Sequence, residues 1–232
     1  MSVAEHEVQL WLLSLHEGAA RLAELTAEEQ ARAERFRCPK ARNTFIQTRA
    51  GLRHVLGHYL ALPPLAVALR YGPQGKPQLD VGMPALHFNL SHSHQQAVIA
   101  IAQTPIGVDL EWQQAALKWR ELAAECCHPS ELATLQAASD QQGHVQLLRL
   151  WTAKEAYLKA RGEGLSLPPT SIRLNQHAEG WQPHIDAPWD DGQNWWLHAL
   201  QLPEGYLGCV ATTLKSPLIV ALVEKRDQIF HR

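Results

Sequence analysis

The chain has 232 residues, 46% apolar and 19% charged, with 21 basic against 23 acidic side chains and a formal net charge of -2. That length suits one large domain or two small lobes sharing an interface. The charge balance argues against a nucleic-acid binder driven by a general positive field, while leaving room for a local basic patch.

In chain order, "VQLWLLSL" (8–15) predicts a first strand. "TAEEQARAERF" opens with Thr26 as N-cap and Glu29 three residues on, a capping-box pattern that predicts a helix. A second helix is expected from about Lys40 to Leu62, where Phe45, Ile46, Leu52, Val55, Leu56 and Tyr59 form an apolar stripe punctuated by Arg42, Arg49 and Arg53. Pro63-Pro64 ends it. A strand, a turn at "GPQGKP" and a second strand follow. "ALHFNLSHSHQQAVIAIA" predicts a strand, a polar Ser/His turn and a buried strand from Ala97 to Ala102. After the break at Gln103-Thr104-Pro105, "IGVDLEW" reads as another strand. Helical pattern returns at about 115–125, 129–139 and 143–161, stopped by Gly162 and Gly164. Alternating segments up to "YLGCVAT" then suggest antiparallel strands.

The element order is similar in the two halves. It predicts two related lobes, 1–105 and 106–232, packed closely because no low-complexity linker separates them. Cys38, Cys126, Cys127 and Cys209 show no CxxC spacing, which predicts reduced thiols. Acidic residues precede the first apolar run, the reverse of a secretory leader, and no run approaches the roughly 18 apolar residues of a membrane span. The expected protein is cytoplasmic, with no membrane and no nucleic-acid partner.

Asp109 and Glu111 of "IGVDLEW" fall at i and i+2 of a strand and so share a face. Two such carboxylates suit a common hard cation, Mg²⁺ or Mn²⁺, or else a solvated strand edge. In "WTAKEAYLKARG", Trp151, Glu155 and Lys159 fall at i, i+4 and i+8 of a helix, with Lys154 beside Glu155; the alternative is a plain surface helix with one Glu–Lys pair. "GPQGKP" can turn a lysine and backbone amides toward an anion, although plain turns share that composition. In "FNLSHSHQQ", Ser91, His92, Ser93 and His94 offer phosphate donors, ordinary surface groups, or zinc ligands, but no G-x-S-x-G hydrolase motif.

The set and its order, "GKP", "FNLSHS", "IGVDLE" and "WTAKEAYLKARGEGLSL", resemble the motif series of the 4′-phosphopantetheinyl transferase superfamily, in its surfactin-type branch with two lobes in one chain. Every fixed position of the second acidic motif, Trp151 to Lys159, matches. The resemblance spans about residues 30 to 215.

It implies an α+β fold of two similar lobes related by pseudo-twofold symmetry, each with antiparallel strands packed against helices and the active site at their interface. It implies an enzyme that moves the phosphopantetheine arm of coenzyme A to a serine of an apo acyl or peptidyl carrier protein, releasing adenosine 3′,5′-bisphosphate. On this resemblance Asp109, Glu111 and Glu155 match the Mg²⁺-binding acids (Mn²⁺ as substitute). Glu155 is also the candidate base, and Lys159 reaches the phosphates. Lys154 is expected to anchor phosphate or support the acids. Lys76, Pro77, Ser91 and His92 match residues that grip the coenzyme A phosphates, and Arg42 and Arg49, ahead of Lys40, are candidates for its 3′-phosphate. Trp112 departs from the pattern and is expected at the lobe interface. Lys118, Arg120 and Leu122, within 117–130, are candidate carrier contacts, and the protein is expected to act as a monomer. Two other readings stand beside this one: a zinc hydrolase built on His87, His92 and His94, and a non-catalytic descendant that binds coenzyme A or a carrier.

Overall fold

The computed structural model describes residues 1–15, 21–72, 75–113, 118–185 and 188–223. Pro73 and Gln74 of the glycine-rich turn, Leu117 at the edge of the expected carrier-facing segment, and 224–232 of the second expected lobe lie outside the described residues.

The first lobe runs β1 (Glu7–Ser14), α1 (Ala27–Glu34), α2 (Pro39–Leu60), β2 (Leu69–Tyr71), β3 (Pro77–Leu79), β4 (His87–Ser93) and β5 (Gln96–Ala102). The second repeats that order with one more helix: β6 (Ile106–Trp112), α3 (Trp119–Cys126), α4 (Pro129–Gln136), α5 (Asp140–Arg161), β7 (Arg173–His177), β8 (Gly180–His184), β9 (Trp196–Ala199) and β10 (Tyr206–Thr212). In each, the opening strand lies antiparallel beside the closing one, β1 with β5 and β6 with β10. Each also has one long helix of 22 residues, α2 or α5. The α+β, two-lobed plan expected from the sequence is the one found.

The last strand crosses that division. β11 (Leu218–Val223), which the sequence reading did not anticipate, pairs parallel with β1, so the first sheet has the order β11-β1-β5-β4. The second sheet is β6-β10-β9-β8-β7. Leu218–Val223 thus belongs to the sheet of the first lobe.

Period-two alternation sets the layers. Along β5, Ala97, Ile99 and Ile101 pack with Leu52, Val55 and Leu56 of α2, while Val98, Ala100 and Ala102 join Val8, Leu10, Ile106, Val108, Leu110 and Val210 in a core shared by both sheets. On the far side, α5 lays Ala153, Ala156, Tyr157 and Ala160 against Leu197, Cys209 and Ala211. Both sheets therefore bury two faces, one under the lobe's own long helix and one against the other sheet.

The capping box at Thr26 forms as expected: Glu29 N–H donates to the Thr26 hydroxyl, and Thr26 N–H donates to the Glu29 carboxylate. The Glu29 carboxylate also accepts from Nε and Nη2 of Arg53, at 2.7 and 2.9 Å, which ties α1 to α2. α5 stops at Gly162, whose φ of 75° a side chain would strain.

Candidate active site

Gly107 explains how a helix can lie directly on β6. A Cβ built there would stand 2.0 Å from the Ala156 carbonyl oxygen and 2.3 Å from the Ala160 nitrogen. Only a residue without a side chain permits that approach. Asp109 and Glu111 follow on the face shared with Gly107, whereas Val108 and Leu110 point into the core between the sheets. The alternation in "GVDLE" thus separates the polar site from the apolar core.

From α5, the stripe of Trp151, Glu155 and Lys159 meets that face. The Lys159 ammonium lies 2.6 Å from Asp109 Oδ1 and 3.1 Å from the Ser91 hydroxyl. Asp109 is 3% exposed, and its other oxygen, Oδ2, is buried with no partner. Burial pushes the Glu155 carboxyl above the usual range; Lys159 pulls it back, and Asp109 and Glu111 push it further up. Glu111 is raised by burial and by Asp109, against the opposing pull of Ser93, Trp151 and Lys159. Lys159 thus pairs directly with Asp109 and lowers the two neighbouring carboxyls through its charge.

The Ser/His stretch is placed differently from expectation. Ser91, His92 and Ser93 are strand residues of β4, and the turn comes at His94, with a φ of 53°. Asn89, Ser91 and Ser93 share the face toward β6. Asn89 Oδ1 accepts the Val108 N–H at 2.8 Å, Ser91 donates to Asp109 Oδ1 at 2.9 Å, and Ser93 donates to Glu111 Oε2 at 2.8 Å. Ser91 is therefore bound to the acid cluster. Its neighbour His92 is exposed, and partial desolvation and the Lys159 charge push its ring below the ordinary value.

Lys154 requires a correction. It is 0% exposed, and its ammonium donates to Glu131 Oε2 at 2.6 Å and to the carbonyls of Cys126 and Pro169 at 2.9 and 3.0 Å. All three protons are taken, so it binds no phosphate. One helix position is about 100° of rotation, which carries Lys154 off the Glu155 stripe and onto α3 and α4.

Lys76, Pro77 and Arg49 do meet. With Gly75, Asn89, Leu90, Leu158, Lys159, Gly162 and Gly164 they line a cleft of about 240 Å³ between the lobes. The Lys76 ammonium donates to the carbonyls of Ile106, Lys159 and Ala160, and burial pushes its pKa down to about 8. Lys76 thus caps the last turn of α5, a role the sequence reading did not give it. Arg49 is buried, 3.6 Å from Glu29, with Nη1 lacking a partner. Its guanidinium and that of Arg32 both sit over the rings of Phe45 and Tyr71, at 5.3 to 5.8 Å. Arg32 was missed because it lies on α1, outside every motif; its spacing from the later aromatics carries no signal. Arg42 is half-buried and does not line the cleft.

The other expected residues separate. His87 and His92 lie on opposite faces of β4, and His94 stacks on Trp112 at 5.2 Å. Among the described residues no three His, Cys, Asp or Glu side chains gather as a metal-holding group. Zinc relies on such a closed protein set, so the zinc reading falls. Mg²⁺ does not: it is held through one or two carboxylates plus water and substrate phosphate. The orphaned Asp109 Oδ2 and the all-oxygen acids beside it fit that kind of ion. Trp112 packs between His94 of the first lobe and Tyr206 of the second, at the interface as expected. Lys118 and Arg120 are exposed and paired with Glu121 and Asp140, whereas Leu122 is half-buried against the core of α3 to α5.

A family model described as the 4′-phosphopantetheinyl transferase superfamily matches residues 105–209, and one for the 4′-phosphopantetheinyl transferase N-terminal region matches 9–104. The 4′-phosphopantetheinyl transferase HetI of a Nostoc species is 36% identical over 196 residues, covering 78% of this chain and 83% of that protein. The chain belongs to the 4′-phosphopantetheinyl transferase superfamily. The transferase is also similar to psf-1 of Bacillus pumilus (30% identity, 80% of this chain and 72% of that one) and to Sfp of Bacillus subtilis (26%, 84% of each). It is an enzyme of this class, whose chemistry makes coenzyme A the co-substrate and a carrier protein the acceptor. No helix among the described residues is long and apolar enough to cross a membrane.

Proposed function

We propose that the transferase moves 4′-phosphopantetheine from coenzyme A to a serine hydroxyl of an apo carrier protein, with Asp109 and Glu111 as the carboxylates that hold one Mg²⁺ or Mn²⁺, Glu155 beside them as the base rather than the third ligand expected from the resemblance, and Lys159 on the phosphates. The observation that carries this reading is the cluster where the lobes meet: Lys159 on Asp109 Oδ1, Asp109 Oδ2 buried without a partner, and two raised carboxyls beside them. When bound, the ion supplies positive charge that neutralises the pyrophosphate. Glu155, whose carboxylate burial makes a stronger base, takes the serine proton. The serine oxygen forms the new P–O bond as the anhydride bond breaks, and adenosine 3′,5′-bisphosphate leaves with Lys159 countering its charge.

Arg49 and Arg32 are the guanidinium pair proposed for the 3′-phosphate, with Arg42 behind them, and Lys76 and Pro77 form the wall of the cleft. Lys118 and Arg120 are the proposed contacts for an acidic carrier. The described cysteines are all free thiols, in keeping with a cytoplasmic enzyme, and one chain supplies both sides of the cleft, as a monomer would require.

Incubation with coenzyme A, Mg²⁺ and a panel of apo carriers from fatty-acid, polyketide and non-ribosomal peptide assembly tests the reading. One phosphopantetheine should appear on at least one carrier by intact mass, and Asp109→Ala should abolish the gain while the circular dichroism spectrum is kept. If no carrier gains the group, the reading fails.

A further inference from the structure

We propose that Ser93 is a positioning residue of the transferase: it aims the Glu111 carboxylate across the junction between the lobes. The inference rests on Glu111 as an ion ligand and adds the group that orients it.

β4 and β6 are edge strands of different sheets and share no backbone ladder. Their contact is made by three alternate side chains of β4. Asn89 serves the Val108 N–H, Ser91 serves Asp109, and Ser93 serves two partners at once. The Ser93 oxygen accepts the Trp112 N–H at 3.0 Å and stands 2.8 Å from Glu111 Oε2. A serine hydroxyl has one proton. With the Trp112 N–H taking a lone pair, that proton goes to the carboxylate. Ser93 is thus fixed from behind by the backbone of β6 and committed in front to Glu111.

Glu111 needs such a guide more than Asp109 does. Asp109 is short, buried and held by the Lys159 ammonium at 2.6 Å. Glu111 has one more rotatable bond and is only partly buried. Its hydrogen bond comes from a neutral group, the Ser93 hydroxyl. With Oε2 occupied by Ser93, the orientation of the carboxylate is set by the first lobe, the same lobe that carries Arg49 and Lys76. The ion ligand and the coenzyme A cleft are thereby referred to one frame. Groups that orient a metal ligand in this way typically change metal affinity or activity by 10- to 100-fold when removed.

The test compares wild type, Ser93→Ala and Ser93→Thr. Three quantities are read: Mn²⁺ affinity with coenzyme A present, from the electron paramagnetic resonance signal of free Mn²⁺; kcat and KM for coenzyme A; and the melting temperature. Ser93→Ala should weaken Mn²⁺ binding and lower kcat by about 10-fold or more, leave KM for coenzyme A near wild type, and change the melting temperature little. Ser93→Thr, which keeps the hydroxyl, should recover both Mn²⁺ affinity and kcat. Wild-type Mn²⁺ affinity and kcat in Ser93→Ala overturn the proposal. So does a threonine variant no better than the alanine one, or a loss that follows the melting temperature alone. A wild-type protein that binds no Mn²⁺ overturns the ion reading and this proposal with it, whereas equal binding by wild type and Ser93→Ala overturns this proposal alone.

Discussion

Adding one methyl group at Gly107 should cost the transferase both rate and stability. The alanine Cβ would lie 2.0 Å from the Ala156 carbonyl oxygen, 2.3 Å from the Ala160 nitrogen and 2.9 Å from the Ala160 Cα, where ordinary contact begins at 3.4 Å. These are backbone atoms of α5, so no side chain can rotate away, and the helix must lift by about 1 Å or the strand must bend. Overpacking of this kind typically costs about 1–3 kcal/mol. For a chain of this size that is a fall in melting temperature of about 2–4 °C per kcal/mol. The same lift moves Glu155 and Lys159 away from Asp109 and Glu111. A misplacement of about 1 Å is worth about 100-fold in rate, and the 2.6 Å pair between Lys159 and Asp109 would be the first contact to open. The assay is phosphopantetheine transfer followed by intact mass, beside a thermal melt. A Gly107→Ala protein that transfers within about twofold of wild type would refute the claim that close packing of α5 on β6 aligns the site.

Lys154→Met should leave Glu131 buried without its cation and cost about 3–5 kcal/mol, seen as a lower melting temperature, while KM for coenzyme A in the folded protein stays unchanged; a raised KM would return Lys154 to the phosphates. Lys76 has its pKa depressed from 10.5 to about 8 by burial, so its contribution to stability is full above 10.5 and is lost as pH falls through about 8. The melting temperature of Lys76→Met relative to wild type should therefore rise as pH is lowered from 10 to 7, and a difference independent of pH would refute the assignment.

Much of the site was legible because it obeys two simple periods. Period two put Asp109 and Glu111 on one face of β6, and a spacing of four put Trp151, Glu155 and Lys159 on one stripe of α5. Lys154 was misread by letter: its neighbour Glu155 suggested a shared role, yet adjacent helix positions point about 100° apart. Ser93 was missed because the Ser/His run looked like a turn, although Asn89, Ser91 and Ser93 already carry the alternation of a strand. Arg32 and the carbonyl partners of Lys76 depend on contacts between distant segments, which no local pattern encodes. β11 escaped because a short apolar run near the end of a chain has no partner until β1 is placed beside it.

That late partner has a consequence for biosynthesis. β1 leaves the ribosome long before the strand that covers its outer side, Leu218–Val223. During translation β1 can pair with β5 while its other side stays open, an adhesive surface for stray chains. Nascent transferase should therefore be at its most aggregation-prone just before Leu218–Val223 emerges, and truncation ahead of Leu218 should yield insoluble protein even though every proposed catalytic side chain is present.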